Sequence, residues 1–299
     1  MNKKKKRIHS KDVWGWLFMS PYILSLLVFG IIPVIYSVCM SLFSYNLYEP
    51  PIFIGLDNFK SLFLEDSEFG KGLVNTLVYA FTVTPITFII SFLLAWVLNS
   101  LPNGVRNVMV TLFYIPQMCA GGALGLIWLY IFSGDRYGIL NHFLTNMGWI
   151  TTPIQWTSDP EILFGVVIFV GIMMGSGMSF LTFVAGFQSL PADMYEAGRI
   201  DGVKNKYQEL VYLTIPQMKP QLLFSAVTAS VGAFAVSDIP AAVAGYPSPD
   251  YAAHTIALHM SDYGFTRFEV GYASAISVVL FVLTFGTGYI LRKMLATND

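Results

Sequence analysis

The composition of this 299-residue chain is that of a membrane protein. Hydrophobic residues make up 55% of the chain and charged residues only 12%, whereas a soluble domain carries about 25% charged residues. An ordinary soluble domain is therefore excluded, and the mean hydropathy of +0.61 agrees. A net charge of −1 gives no support for a nucleic-acid partner, and we expect none.

Six apolar runs are each long enough to cross a bilayer, since a spanning helix needs roughly 20 predominantly apolar residues. They follow a basic tail, residues 1–12. We predict an all-α integral membrane protein with six transmembrane helices in one domain, residues 13–299. The predicted spans are about 13–44, 72–99, 107–133, 162–190, 220–245 and 270–292. The first run is too long for a signal peptide and lacks a small-residue cleavage site after it, so we expect it to remain.

Lysine and arginine set the orientation, because they are enriched in cytoplasmic segments. With the N-terminus inside, 13 of the 17 basic residues fall on the cytoplasmic side and four on the outer side. We therefore predict a multi-pass protein of the cytoplasmic membrane with both termini in the cytoplasm. Its basic tail would lie beside anionic lipid, and residues 193–219 would form a cytoplasmic loop between spans four and five.

Span four contains small and adaptable residues. Gly171, Gly175 and Gly177 form a small-residue stripe, and close helix contact is the favoured explanation. Room for a solute is the alternative, with flexible methionines as its lining. Met174 and Met178 are the candidates for that lining.

Span five contributes two polar candidates, Thr228 and Asp238. An acidic residue within a membrane span is costly and suggests a function. Asp238 falls near the predicted outer end of the span, where a structural role costs little, so both explanations stay open. We expect the pathway to lie between spans four to six and a partner subunit.

The predicted outer loops hold three of the four histidines and one further helix. Residues 138–149, GILNHFLTNMGW, have the pattern of a short amphipathic helix. His254 and His259 are five residues apart, which would place them on different faces of a helix. That spacing does not suit a zinc pair, so we predict no metal site.

The loop between spans four and five has the local signals of two helices. Pro191 stands at the start of the first, and Asp193 and Glu196 favour its positive end. Asp201 and Gly202 break this helix, because glycine tolerates a left-handed backbone and aspartate forms a turn. A second helical segment, 203–214, is expected to end before Pro216, and Pro220 begins span five.

The same stretch, EAGRIDGVKNKYQELVYLTIPQMKP, resembles the EAA motif of ABC-importer permeases. Its matching residues are Glu196, Ala197, Asp201, Gly202, Pro216 and Pro220. Two positions depart from the motif. Gly198 replaces the usual third alanine, with a helix cost of up to about 1 kcal/mol, and Leu213 stands where isoleucine is frequent.

Two further stretches resemble the carbohydrate-uptake subfamily, related to the maltose and glycerol-phosphate types. FIGLDNFKSLF followed by LVNTLVY is similar to its first outer loop and second span, and FEVGYASAISVVLF to its last span. AGYPSPD stands where the subfamily often has a Gly-Gly-Pro run, so the resemblance implies nothing about that outer segment.

The resemblance implies a bacterial sugar importer in which this chain pairs with a second, related permease. Two cytoplasmic ATPase subunits would dock on the two EAA loops and hold the ATP and magnesium, so this chain binds no cofactor. A solute-binding protein would deliver the sugar, an oligosaccharide by preference, from outside. The coupling residues implied are Glu196, Ala197, Gly198, Asp201, Gly202 and Pro216.

Two other functions compete with this one. An ion-gradient-driven carrier usually needs ionisable groups within its spans and internal repeats, and Asp238 alone is thin support. A membrane enzyme needs a catalytic set that we do not find in the sequence. The chain also lacks a G-x-x-x-x-G-K-[ST] phosphate loop, which agrees with ATP hydrolysis by separate subunits.

Overall fold

The computed structural model describes residues 10–118, 121–175 and 177–295, which are predominantly helical. The N-terminal helix comprises α1 (Ser10–Leu26), a π-helical turn (Leu27–Ile31) and α2 (Ile32–Met40). A small antiparallel hairpin follows, with β1 (Phe43–Ser44) paired to β2 (Ile52–Phe53). The next helices are α3 (Asp57–Leu64), α4 (Ser67–Asn99), α5 (Asn103–Met118), α6 (Gly121–Ile131) and α7 (Ile139–Asn146).

The second half of the chain begins with α8 (Pro160–Met174), α9 (Gly177–Ser189) and α10 (Ala192–Ile200). The loop continues through α11 (Lys206–Gln208), a π-helical turn (Glu209–Thr214) and α12 (Ile215–Gln217). Then come α13 (Lys219–Phe234) and α14 (Asp238–Ala244). A 3-10 turn (Pro249–Tyr251), α15 (Ile256–Ser261), a π-helical turn (Asp262–Thr266) and α16 (Val270–Leu295) complete it.

Four stretches in the described ranges are helices long and apolar enough to cross a membrane: Gly15–Met40, Ser67–Asn99, Pro160–Ser189 and Val270–Met294. A fifth span arises if α13 and α14, which bend by 44° at their break, count as one. The third predicted span is occupied by α5 and α6, between which residues 119–120 lie outside the description. Six spans therefore stay a prediction.

Helix α4 lies at the centre of the molecule and packs against α8, α9 and α13. One core cluster joins it to α8 through residues such as Tyr79 and Val167, and another joins it to α9 through Phe183. The buried hydroxyl of Thr87 bonds within its own helix, donating to the carbonyl of Val83 at 2.8 Å. Such local bonds are required where water is absent.

The glycines of span four make these close helix contacts. A Cβ on Gly171 would overlap the hydroxyl of Tyr79, and one on Gly175 would lie 3.2 Å from the Thr87 methyl. Because side chains of α4 already fill this space, the close-contact explanation is confirmed at Gly171 and Gly175. The amphipathic helix predicted in the loop before span four is confirmed as well, as α7.

Candidate functional site

Helix α10 ends in a Schellman motif, as the predicted Asp201-Gly202 break requires. The amide of Val203 donates to the carbonyl of Gly198 at 3.0 Å, and the amide of Gly202 donates to that of Arg199 at 3.2 Å. Gly202 has φ +96, which only glycine adopts without strain. The chain therefore reverses sharply at Gly202.

The second helical segment differs from its prediction at both ends. It begins after Asn205, whose side chain accepts the Gln208 amide at 2.8 Å, rather than at residue 203. It also continues through Pro216 to Gln217. The π-helical turn before Pro216 does not use the i to i−4 hydrogen bonds that proline disrupts, so Pro216 does not end the segment. As predicted, Pro220 lies in the first turn of the next helix, α13.

The predicted coupling loop, residues 193–219, is anchored to the helices by its second segment. Leu210 and Met218 are buried in the cluster that includes Phe183 and Phe187 of α9. Thr214 is also buried, and its hydroxyl lies 3.0 Å from that of Tyr195 in α10. The two segments of the loop are therefore held to each other and to the bundle.

Gly198 is the buried residue of α10, and it faces Leu213. A Cβ at Gly198 would lie only 2.6 Å from Cδ1 of Leu213. The two departures from the EAA pattern thus meet in space, and the missing methyl at one position leaves room for the side chain at the other.

The remaining predicted coupling residues lie on the surface. Glu196, Ala197, Asp201, Gly202 and Pro216 are all exposed. Glu196 also lines a cleft of about 350 Å³ between the loop and the end of α4, beside Trp96 and Asn99. Polar groups that protrude from a firmly anchored loop suit a docking surface.

One exposed ion pair bridges the two segments of the loop. Nε of Arg199 lies 3.1 Å from Oε1 of Glu209, and the Arg199 side chain is 66% exposed. An ion pair this exposed contributes no more than about 1 kcal/mol, so the apolar anchors hold the loop.

The four predicted pathway residues lie on four different helices, and their role in a pathway stays a prediction. Met174 is half-buried against the core, whereas Met178 is exposed on α9. The hydroxyl of Thr228 donates to the Phe224 carbonyl of its own helix at 2.8 Å. Asp238 is exposed at the first residue of α14, just after the bend. The helices that carry them are α8, α9, α13 and α14.

At the other end of α4, polar side chains clamp the segment before α15. The amide nitrogen of Asn75 donates to the carbonyls of Ala252 and His254, each at 3.0 Å. The buried hydroxyl of Thr76 accepts the Ile256 amide at 2.9 Å. Asn75 and Thr76 belong to the LVNTLVY stretch, so this motif docks an extended segment onto α4.

The distal network, which we define as Asp66, His254, His259 and Tyr272, lies beside this clamp. Nε2 of His254 is 2.8 Å from Nδ1 of His259, and Nε2 of His259 is 2.9 Å from Oδ2 of Asp66. The Tyr272 hydroxyl donates to the same oxygen at 2.8 Å. Both histidines are only 1% exposed.

The prediction that the two histidines face apart is wrong. Helix α15 begins at Ile256 with Thr255 as its N-cap, so His254 precedes the helix and helical spacing does not apply to it. The spacing of the histidines therefore did not reveal the network. The one signal in the sequence was Asp66, an aspartate directly before a long helix, which is a common capping residue. In the structure its side chain caps α4 by accepting the Phe69 amide at 2.8 Å. Within the described ranges, no three His, Cys, Asp or Glu side chains could hold a metal ion.

The surroundings of the distal network favour a neutral His254 and a charged Asp66. Burial and the neighbouring His259 lower the pKa of His254 to about 4. Burial opposes ionisation of Asp66, but the Phe69 amide, Tyr272 and His259 outweigh it and lower its pKa below the usual value. On one side, Asp66 and Tyr272 line an open cleft of about 860 Å³, together with Arg267.

Comparison with known proteins assigns the family. The family model described as "Binding-protein-dependent transport system inner membrane component" matches residues 61–295. The chain belongs to this family. It is a permease subunit of an importer, a membrane component rather than an enzyme. The coupling loop and the distal network both lie within the matched residues.

Curated relatives match over nearly their full length. The probable ABC transporter permease protein YesP of Bacillus subtilis is 31% identical over 94% of this chain and 90% of its own. The arabinooligosaccharides permease AraP of the same species is 28% identical, covering 96% and 90%. The probable starch degradation products permease AmyD of Thermoanaerobacterium thermosulfurigenes is 29% identical, covering 93% of each chain.

A solved bacterial ABC transporter that imports the acidic polysaccharide alginate has the same fold. One of its chains superposes with a TM-score of 0.79 over 95% of this chain and 96% of its own. The sequences are 20% identical, so the likeness concerns the fold.

Proposed function

We propose that this chain is one of two permeases of an ATP-driven oligosaccharide importer and that its coupling loop docks on an ATPase subunit. The observation that carries the proposal is the construction of that loop. A short helix with exposed carboxylates is closed by the Gly202 turn and fixed to the bundle by Leu210, Thr214 and Met218. A push on α10 then reaches α4 and α9 through packed side chains.

The proposed topology has six spans, a cytoplasmic coupling loop and both termini in the cytoplasm. It is supported by the excess of lysine and arginine on the cytoplasmic side. The distal network then faces outward, where a sugar-binding protein delivers the solute. This chain holds no ATP or magnesium in the proposal; the ATPase subunits hold both.

A second permease is the proposed partner within the membrane. The N-terminal helix supports this, because its side chains from Gly15 to Met40 are nearly all exposed in the single chain. An apolar helix surface of this kind is covered in a membrane either by lipid or by a partner subunit. The sugar pathway would run beside Met174, Met178, Thr228 and Asp238, at the faces of the helices that carry them.

An oligosaccharide is the proposed solute class because AraP and AmyD are named for oligosaccharides and starch products. The test uses vesicles that contain this chain with the permease, ATPase and binding protein of neighbouring reading frames. We expect uptake of labelled arabino- or malto-oligosaccharides that needs ATP and binding protein and resists a protonophore. Uptake that persists without ATP and stops with the protonophore would favour an ion-driven carrier and overturn the proposal.

A further inference from the structure

The hydrogen bonds of the distal network determine where its protons lie. The Asp66 carboxylate accepts from the Phe69 amide and the Tyr272 hydroxyl, so Nε2 of His259 must donate to it. Nδ1 of neutral His259 is then an acceptor, and Nε2 of His254 donates to it. Every donor in this series of hydrogen bonds therefore points toward Asp66.

This arrangement leaves Nδ1 of His254 as a bare acceptor. The atom is buried and has no hydrogen-bond partner in the described part of the chain. A further proton has two places to go. On His254 it creates an N–H at Nδ1 with no acceptor, and on His259 it forces His254 into the tautomer with that same unpartnered N–H. Either way the Nδ1–H of His254 is buried without an acceptor, which is costly even with the Asp66 carboxylate beside His259.

The network joins three parts of the chain that are far apart in sequence. Asp66 caps α4, His254 and His259 flank the start of α15, and Tyr272 lies in the first turns of α16. Breaking the bond between His259 and Asp66 removes the polar link between α15 and the α4 cap.

Charged and titratable groups surround the network on each packed element. Arg267 and Asp262 pair at 2.7 Å. The carboxylates of Asp262 and Asp66 favour a proton on His254, but burial and the neighbouring His259 outweigh them and lower its pKa. The groups facing the network are Glu68 from α4, Tyr246 and Tyr251 from the segment before α15, Asp262, Tyr263 and Arg267 after it, and Glu269 beside α16.

We propose that the distal network is a pH-sensitive positioning device. With the hydrogen bonds described above it holds residues 249–267 against α4 and α16, and a further proton on the histidine pair releases them. This segment borders the open cleft beside Asp66, so its release changes the surface at that end of the molecule. The inference concerns the position of the segment and does not depend on the proposed transport.

The test measures hydrogen–deuterium exchange of the full-length chain in lipid nanodiscs at pH 7.5 and pH 5, with labelling times scaled to the intrinsic rate. We expect wild-type protection across residues 249–267 to fall about tenfold or more in acid. If the released state binds one more proton than the closed state, each pH unit changes the equilibrium between them by up to about tenfold. His254→Gln keeps a donor for His259 and cannot titrate, so its protection should change much less.

Two further variants complete the test. His142→Gln alters an exposed histidine of α7 and should keep the wild-type response. Tyr272→Phe removes a donor to Asp66 and should release the segment at a higher pH than wild type, which gives a second result if His254→Gln does not fold. Equal pH responses of wild type and the folded network variants overturn the proposal, and so does wild-type protection that is unchanged at pH 5.

Discussion

The two ends of α4 use polar residues in opposite ways. At the coupling loop, Glu196 and Asp201 are exposed while Leu210 and Met218 hold the loop to the bundle. At the distal end, His254 and His259 are buried and, together with the half-buried Asp66, hold the segments together. The first end presents polar groups to the solvent, as the proposed docking requires, whereas the polar groups of the second bind other parts of the same chain.

This difference indicates which substitutions should impair each end of α4. The loop depends on its backbone turn and apolar anchors, and its surface charges can change with little effect on stability. The distal end depends on complete hydrogen bonding, because an unpaired buried polar group costs about 1–3 kcal/mol. Substitutions at the two ends should therefore differ in what they impair.

The largest effect is expected from Gly202→Val. A β-branched residue at φ +96 is strained by about 1–3 kcal/mol, so the turn after α10 cannot keep its shape. We expect ATP-driven uptake to fall to background while the chain still inserts in the membrane, as measured by vesicle uptake and immunoblotting of membrane fractions.

Gly148→Val provides a matched control for that variant. Gly148 has φ +73 in a second Schellman motif, where the amide of Trp149 donates to the Leu144 carbonyl at 3.0 Å, after α7. The strain is similar, but the turn is remote from the coupling loop. Equal loss of uptake in both variants would mean that strain alone, rather than coupling, explains the defect.

The next effect is a loss of stability in acid. His254 has a folded pKa of about 4 against 6.5 for the free side chain, so the unfolded chain binds more protons between these values. The free energy of unfolding is therefore fully present above pH 6.5 and falls by as much as about 3 kcal/mol as the pH drops to 4. Reversible denaturant unfolding in micelles measures this, and His254→Gln should flatten the dependence; an unchanged slope would contradict the assignment.

Thr76→Val should lower stability by about 1–3 kcal/mol at neutral pH, because the buried Ile256 amide loses its acceptor. Thr228→Val is the control. Its hydroxyl donates only to the Phe224 and Ser225 carbonyls of its own helix, and we expect a loss below about 1 kcal/mol. Similar losses from the two variants in the same unfolding assay would argue against the clamp.

The smallest effect is expected at Gly198. Alanine there should gain up to about 1 kcal/mol of helix propensity but crowd Leu213. We expect Gly198→Ala alone to be near neutral, and a favourable coupling of about 0.5–1 kcal/mol when it is combined with Leu213→Ile. Gly232→Ala, at an open position of α13, should show no coupling to Leu213→Ile. If the effects of the Gly198 and Leu213 changes on stability were simply additive, the two positions would not be energetically coupled and the prediction would be wrong.

The sequence predicted features that depend on local backbone chemistry. The break at Gly202 follows from its turn residues, and helix α7 follows from amphipathic spacing. The first turn of α13 follows from Pro220, because proline is favoured at a helix start. The six-span count rests on composition and stays a prediction, as do the coupling roles of Glu196, Ala197 and Asp201.

Features that depend on distant parts of the chain were not predictable. The contact of His254 with His259 was missed because a helix start at Ile256 cannot be located from histidine spacing. The passage of the second loop segment through Pro216 depends on a π-helical turn that the sequence does not signal. The partners of Asp66 lie about 200 residues further along the chain, beyond any local pattern.

The contact between Gly198 and Leu213 has a consequence for how this loop evolves and how it can be engineered. A change at either position alters the room available to the other, so relatives should exchange the two residues together. A graft of α10 from a homologue with alanine at the first position should therefore carry that homologue's residue at the second. Chimaeras cut between the two segments of the loop would separate a matched pair.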